Sequence, residues 1–399
     1  MIIITEKSQC CGCSACQQIC PKNCISMQED NEGFLYPKID SNLCVNCHLC
    51  EKVCPVLNRY EASVYPLSFA CINKDKNIVQ NSSSGGFFTV LAKYIIEKDG
   101  VVFGVRFDDK WSAIFDYTDN EEELYKYRGS KYVQPFVGDN YRKVKSLLSA
   151  GRPVLFVGTS CQVSGLNHFL RKKYENLITV DIVCHSIPSP KVWRKYLDCI
   201  KKQNEIYSIT FRDKSFGWRN YGLKITGKSK DGNLLNIIHE GKDQNLYMRG
   251  FLSDLYTRPS CFNCPARNYT SGSDIMIADF WGVEKYHPEI DTNSGISLVL
   301  VKTDKGKEVF ESIKNNFNTI QVSYDEVEDK GLHRPITSSS KPHYYRSYFY
   351  KKIKQKELLE LINECLDKGE KRQMWIRKVK KIAEALGVRI ILKLIKNKK

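Results

Sequence analysis

Cys10-Cys11-Gly12-Cys13-Ser14-Ala15-Cys16-Gln17-Gln18-Ile19-Cys20-Pro21 and Cys44-Val45-Asn46-Cys47-His48-Leu49-Cys50-Glu51-Lys52-Val53-Cys54-Pro55 are two copies of one pattern, Cys-x2-Cys-x2-Cys-x3-Cys-Pro. A cubane [4Fe-4S] cluster needs four thiolates at the corners of a tetrahedron. Three cysteines two residues apart wrap one cluster in a short loop, and the fourth ligand of each cluster comes from the other run, which interlocks the halves. The spacing therefore assigns Cys10, Cys13, Cys16 and Cys54 to one cluster and Cys44, Cys47, Cys50 and Cys20 to a second. Zinc is held by paired Cys-x2-4-Cys hairpins and has no use for two triplet-plus-one runs each followed by Pro. Cys11 stands one residue out of register with Cys13 and reads as a bystander.

A disulfide framework would require an exported chain. Met1–Lys7 has neither the basic start nor the apolar length of an export signal, so reduced thiols in the cytoplasm are expected. The cluster runs use only the start of a 399-residue chain, so a much larger partner domain follows. With 42% hydrophobic and 11% aromatic residues, that remainder can bury a full core.

The net charge of +16 and pI near 9.0 do not imply nucleic acid, because the excess is concentrated at one end. Residues 351–399 hold 16 Lys and Arg against 6 Asp and Glu. The stretch Val379–Lys399 reads either as a solvated helix or as a peripheral contact with an anionic membrane face or an acidic partner. No run of apolar residues is long enough to cross a bilayer.

Glu32–Pro37, between the runs, reads as a turn and strand packed against the clusters, and Val56–Pro66 as a linker. A strand at Leu67–Ile72 is followed by Asn81-Ser82-Ser83-Ser84-Gly85-Gly86 and a helix over Phe87–Glu97. Small residues ahead of a helix leave N–H groups free for a phosphate, although a Ser/Gly turn more often only caps the helix. Val101–Phe107 reads as a buried strand, and Arg128-Gly129-Ser130-Lys131-Tyr132 is a second small-plus-basic cluster.

Two continuous apolar runs decide the larger domain. Arg152–Val157 ends in Gly158-Thr159-Ser160-Cys161 before a helix to about Tyr174, and Leu177–Val183 ends in Cys184-His185 before a helix opened by Pro188 and Pro190. Such runs alternating with helices indicate parallel strands buried on both faces, with ligands at their carboxyl ends. Shorter, more polar strands are expected at Ile206–Phe211, Tyr221–Gly227 and Leu234–His239. Asp274–Val283 reads as a strand ending in an aromatic turn, Ser297–Val301 as a last strand and Lys305–Asn315 as a helix.

Cys261 and Cys264 form a Cys-x2-Cys pair that lacks two ligands. Cys161 and Cys184 would complete a third metal site, or they are simply buried thiols; both readings stay open. Cys24, Cys71, Cys199 and Cys365 have no partner pattern and read as core.

Several stretches together resemble the coenzyme F-420 hydrogenase/dehydrogenase beta-subunit family. They are Ser82-Ser83-Ser84-Gly85-Gly86, Gly129-Ser130-Lys131-Tyr132-Val133, Val157–Gln162, Asp181–His185, Arg258–Cys264 and Asp279-Phe280-Trp281-Gly282. Their order agrees with the family's, over roughly residues 65–330. Two departures flank candidate ligands, with Ser160 where the family usually has Pro and Ser186 where it has Gly. The resemblance implies a flavoprotein in which Ser82, Ser83, Ser84, Gly85, Gly86, Gly129, Ser130, Lys131 and Thr159 bind FAD.

The expected fold is an α+β ferredoxin-like module over residues 1–58, then a larger α/β domain with a mixed, partly parallel sheet. That domain divides into an N-terminal-like region at 65–150 and a C-terminal-like region at 151–335, with a basic helical tail at 336–399. The expected function is an iron-sulfur flavoprotein oxidoreductase, passing electrons from the two [4Fe-4S] clusters, and a third if it forms, to FAD. An F-420-like or organic acceptor would receive them, and relatives also occur in polysaccharide gene neighbourhoods. Expected partners are a redox protein such as reduced ferredoxin, a small-molecule acceptor or donor, and further copies of the chain. The rivals are a non-catalytic electron-transfer subunit and a docking factor for surface-glycan synthesis.

Overall fold

The computed structural model describes residues 1–61, 66–201, 205–229, 231–328 and 333–385. Part of the expected linker and most of Val379–Lys399 lie outside the described residues.

The two cysteine runs form a structural repeat. Each carries a short helix, Ala15–Ile19 or Leu49–Lys52, entered through a left-handed residue, Ser14 at φ 62° or His48 at φ 58°. One step earlier Gly12 and Asn46 also have positive φ, at 73° and 52°. These left-handed residues fold each Cys-x2-Cys spacer back on itself. Gly and Asn tolerate that conformation, because a missing or short polar side chain lowers its steric cost. Strands β1 (Ile25–Glu29) and β2 (Leu35–Ile39) pair antiparallel between the repeats.

The large domain is built on an eight-stranded mixed sheet. Its strands in chain order are β3 (Leu67–Asn73), β4 (Val101–Phe107), β5 (Ala113–Thr118), β6 (Val154–Thr159), β7 (Leu177–Ile182), β11 (Ile275–Asp279), β12 (Ser297–Val301) and β13 (Phe317–Val322). Between β7 and β11 the chain makes a separate antiparallel sheet of β8 (Glu205–Asp213), β9 (Gly222–Lys228) and β10 (Leu234–Gly241). In the large sheet the order is β13-β3-β12-β11-β7-β6-β4-β5, and the neighbours β4, β6, β7 and β11 run parallel. The remaining pairings are antiparallel.

The apolar runs of the parallel strands are buried on both faces, as a sheet layered by helices requires. Val102, Leu155, Val157, Ile178 and Val180 face the helices Phe87–Ile96 and Asp304–Ile313. Val101, Phe103, Val154, Phe156 and Leu177 face Asn140–Ser149 and Ser160–Leu170. Cys11, Cys13, Ala15 and Val53 join this second core, so the cysteine repeat is docked on that side. Gly165 makes the approach close: a Cβ there would lie 3.0 Å from Cys13 Sγ and 3.1 Å from the Tyr141 hydroxyl.

Part of the expected basic helical tail is built into the core. Phe349, Ile353, Leu358, Leu361, Ile362, Cys365 and Leu366 are buried, packed with Trp193, Tyr196 and Met248. Apart from Ile353, which caps the first, they lie on the helices Arg346–Lys352 and Leu358–Ala385. Their apolar spacing is helical but diluted by lysines, so charge density hides a core-forming face.

Candidate functional site

The eight pattern cysteines of the two runs lie around two small cavities. Cys10, Cys13, Cys16 and Cys54 line one small cavity, whose rim also includes Cys11, Met27 and Pro37. Cys20, Cys44, Cys47 and Cys50 line a second, together with Ile25, Ile39 and Cys24. Cys24 Sγ lies 3.3 Å from Cys20 Sγ, so Cys24 is a neighbour of the sulfur group rather than an isolated core residue. Cys47 is exposed, whereas Cys16 and Cys54 are buried. Burial and the nearby Cys10 thiol push the pKa of Cys16 and Cys54 up. Crowded thiolates of this kind need a cation among them, and that donor chemistry fits an iron cluster. Among the described residues no three His, Cys, Asp or Glu side chains group around a single metal ion.

The four remaining candidate ligands lie within electrostatic reach of one another. Burial, reinforced by Cys184, Cys264 and Cys161, raises the pKa of Cys261 well above its ordinary value. Cys184 is pushed up to about 12, by burial first and by Cys161 and Cys264 in addition. Cys11 and Cys13 share a core cluster with Cys161, and the Cys11 thiol together with burial raises the pKa of Cys161 well above its ordinary value. Cys11 lines the first sulfur cavity and packs in one core with Cys161, so it is not a bystander in space.

Arg258 fixes this junction. It is 1% exposed, and its Nε donates to Cys10 O at 2.8 Å, Nη2 to Leu35 O at 2.9 Å and Nη1 to Gln134 Oε1 at 2.9 Å. Gln134 Nε2 donates to Cys11 O at 3.3 Å, and Tyr36 lies under the guanidinium with its ring centroid 4.4 Å away. A fork of donors on a rigid plane is the side chain suited to three acceptors from separate segments.

At the carboxyl ends of β4, β6, β7 and β11 lies a cavity of about 440 Å³. Ser82, Ser83, Ser84, Gly86, Gly129, Ser130, Lys131 and Thr159 all line it. Gly85 does not. A Cβ there would meet Cys71 O at 2.2 Å and Ser297 N at 2.7 Å, so its role is to let two backbones touch. Ser130 N donates to Ser83 Oγ at 2.9 Å, which joins the two predicted loops. The N-terminus of helix Phe87–Ile96 opens here behind Gly86, at φ 85°, with no side chain capping its N–H groups. Its dipole and free donors suit a phosphate.

Two predicted binders are otherwise engaged. Lys131 Nζ donates to the carbonyls of Lys126, Arg128 and Gly129 at 2.9, 2.8 and 3.3 Å, and burial lowers its pKa to about 7. It staples its own loop. Thr159 donates through N and Oγ1 to Gln162 Oε1, at 2.9 and 2.8 Å.

Sequence reasoning missed the residues that shape the opposite wall. The buried Arg212 donates from Nη1 to Asp279 Oδ2 at 2.8 Å and from Nη2 to Asp279 Oδ1 at 2.9 Å. Nη2 also reaches Ser83 O at 3.1 Å, tying β8 to the serine turn. Burial opposes the Arg212 charge, but the Asp279 carboxylate outweighs it and holds the pKa above its usual value. Trp218 Nε1 donates to Asp279 Oδ1 at 2.9 Å, and its ring stacks on Trp281 with centroids 4.7 Å apart. The available signal was Asp279 beside Trp281, which called for a buried cationic partner. Arg128 Nε, also on the wall, is buried and has no hydrogen-bond partner among the described residues. An unsatisfied cationic donor beside an uncapped helix end fits the pyrophosphate of a dinucleotide such as FAD. Cys184 lines this cavity too, so the third thiol group abuts it.

Comparison with known proteins places these features in families. The profile for the C terminus of the coenzyme F420 hydrogenase/dehydrogenase beta subunit matches residues 151–325, and the profile for its N terminus matches residues 68–137. A 4Fe-4S dicluster domain matches residues 9–58. A chain of the xenon-derivatized F420-reducing [NiFe] hydrogenase complex from Methanosarcina barkeri is 17% identical. It aligns with a TM-score of 0.43 over 79% of this chain and 93% of that one. No curated protein matches.

Proposed function

Because the chain belongs to the coenzyme F420 hydrogenase/dehydrogenase beta-subunit family and carries a 4Fe-4S dicluster domain in front of it, we propose that it is an iron-sulfur flavoprotein. In this role it moves electrons between a protein redox partner and a small-molecule acceptor or donor. Two clusters are held by the crossed sets Cys10, Cys13, Cys16, Cys54 and Cys44, Cys47, Cys50, Cys20, and a third by Cys161, Cys184, Cys261 and Cys264. FAD is held by the Ser82–Ser84 turn, Gly86, Gly129, Ser130 and Arg128. Clusters pass single electrons and a flavin exchanges a pair, so the two together couple one-electron and two-electron chemistry.

The observation that carries this reading is the placement of the thiols. Exposed Cys47 lines the second sulfur cavity, Cys11 lines the first and shares a core cluster with Cys161, and Cys184 stands on the wall of the sheet-edge cavity. Leu43 and Val45 are exposed beside Cys47, at 55% and 56%, and offer a face for a protein partner such as a ferredoxin. Among the described residues no helix is long and apolar enough to cross a membrane.

The test is an anaerobic assay of iron, acid-labile sulfide and released flavin. About twelve iron atoms and about one FAD per chain are expected, falling by about four irons in Cys261→Ser/Cys264→Ser. Roughly eight irons with no flavin after reconstitution would replace the enzyme by an electron-carrying adaptor.

A further inference from the structure

A second large cavity, of about 830 Å³, lies between the helix Leu358–Ala385, the helix Leu246–Leu252 and the segment 341–344. Gly369 lets these surfaces close, since a Cβ there would lie 2.6 Å from His343 Nε2. Six Lys and Arg side chains line the groove against three carboxylates.

The carboxylates are already committed. Asp243 pairs with Lys242 at 3.4 Å and Glu370 with Arg249 at 3.3 Å. Asp254 accepts from the Ser186 and Thr257 hydroxyls at 2.9 and 3.0 Å. Lys341, Arg372, Arg377 and Lys380 face the same space, and none forms an ion pair among the described residues. Arg372 is braced over the Tyr344 ring at 3.7 Å, which orders its guanidinium. Converging cations without counter-charges repel one another and gain from a shared anion.

The groove adjoins the redox cavity. Leu252 lines both, and Asp254 connects the groove to Ser186 and His185, lying 3.3 Å from His185 Nε2. We infer that the groove binds the phosphate-bearing end of the organic substrate, whose reacting part occupies the sheet-edge cavity. This inference rests on the redox role proposed for that cavity and adds the substrate class, a phosphorylated or diphosphorylated organic molecule. The concavity separates it from a membrane contact, which takes a convex amphipathic face. Two or more guanidinium and ammonium groups converging from different segments match the several oxygens of a diphosphate.

The test is pyrophosphate binding to the flavin-loaded full chain, measured by calorimetry. Arg372→Ala/Arg377→Ala is compared with Lys371→Ala/Lys378→Ala, which removes equal charge from the same helix at exposed positions outside the groove. Support is at least a tenfold weaker pyrophosphate affinity in the first variant and less than a twofold change in the second, with flavin retained in both. Equal effects of the two variants, or equal binding of sulfate and pyrophosphate, mean diffuse charge only and overturn the site. Absence of pyrophosphate binding in a flavin-loaded wild type, with Arg372- and Arg377-dependent binding to vesicles of anionic phospholipid, also overturns it and assigns the face to a membrane. Failure to take up flavin would instead defeat the redox reading, and only the Arg372- and Arg377-dependent part of pyrophosphate binding to the flavin-free chain would then report on the groove, because the sheet-edge cavity can also take a pyrophosphate.

Discussion

Arg212 and Asp279 meet through two hydrogen bonds, 2.8 and 2.9 Å long, with the Arg212 side chain 4% exposed and that of Asp279 17%. The pair joins the small sheet to the carboxyl edge of the large one. Removing one member strands the other's charge in a dry site, which costs about 3–5 kcal/mol. Asp279→Asn is therefore expected to lower the urea midpoint strongly and to release flavin. Arg212→Met/Asp279→Leu, which removes both charges, is expected to cost less than either single change. A midpoint for Asp279→Asn equal to the wild-type value would show that the pair is not a structural joint.

The fifth thiol beside each cluster set gives a sharper test of ligation. Cys54→Ala removes a crossed ligand and is expected to lose about four iron atoms per chain. Cys24→Ala, although its sulfur lies 3.3 Å from that of Cys20, is expected to keep them all. Loss of iron in Cys24→Ala with retention in Cys20→Ala would move the fourth ligand of the second cluster to Cys24.

The inner strands of the large sheet were legible because each is buried on two faces and so reads as a continuous apolar run; Ser297–Val301 and Val101–Phe107 have the expected bounds. Ala113–Thr118 and Phe317–Val322 escaped notice for the opposite reason. They are edge strands, and alternating polar residues such as Asp116, Asn318 and Gln321 dilute the pattern. At the site, local turns announced themselves through Ser82–Gly86 and Gly129–Lys131. Arg212, Arg258 and Cys11 did not, because each acquires its role from residues far away in sequence. A lone buried arginine or an off-register cysteine carries no local pattern.

Lys214 makes stability depend on pH. Its Nζ donates to the carbonyls of Val79, Ser84 and Ser294 at 2.7, 2.9 and 2.7 Å, and burial lowers its pKa to about 7. In the unfolded chain the amine titrates near 10.4. Above pH 7 the unfolded state therefore binds more protons than the folded one, and stability rises with pH. The contribution is lost as pH falls through 7. Thiols of the unfolded chain are half ionised at about pH 8.5 and oppose the trend across this range, so the group's share is read as the difference between the wild type and Lys214→Met. Between pH 7 and 8.5 the stability of the wild type is expected to rise more steeply, or fall less, than that of Lys214→Met, the difference in slope reaching up to about 1.4 kcal/mol per pH unit. Lys131, whose pKa burial also lowers to about 7, keeps its own share of the rise in the variant, and equal slopes in the wild type and Lys214→Met would assign the effect elsewhere.

Arg258 separates charge from shape at the junction of the sulfur groups. Its fork ties Cys10 O, Leu35 O and Gln134 Oε1 together, and its positive charge lies beside the cluster set that includes Cys10. Arg258→Lys keeps the charge but not the fork, and leaves buried acceptors unpaired at a cost of about 1–3 kcal/mol each. Arg258→Met loses both. A nearby cation favours the more negative, reduced state of a cluster, so Arg258→Met is expected to lower the reduction potential of one cluster while Arg258→Lys holds it near the wild-type value. Both variants are expected to unfold at lower urea. Redox titration followed by low-temperature paramagnetic resonance reads the two effects apart. Equal potentials in all three proteins would reduce Arg258 to a staple, and a fall in both variants would show that hydrogen-bond geometry, not charge, sets the cluster's potential.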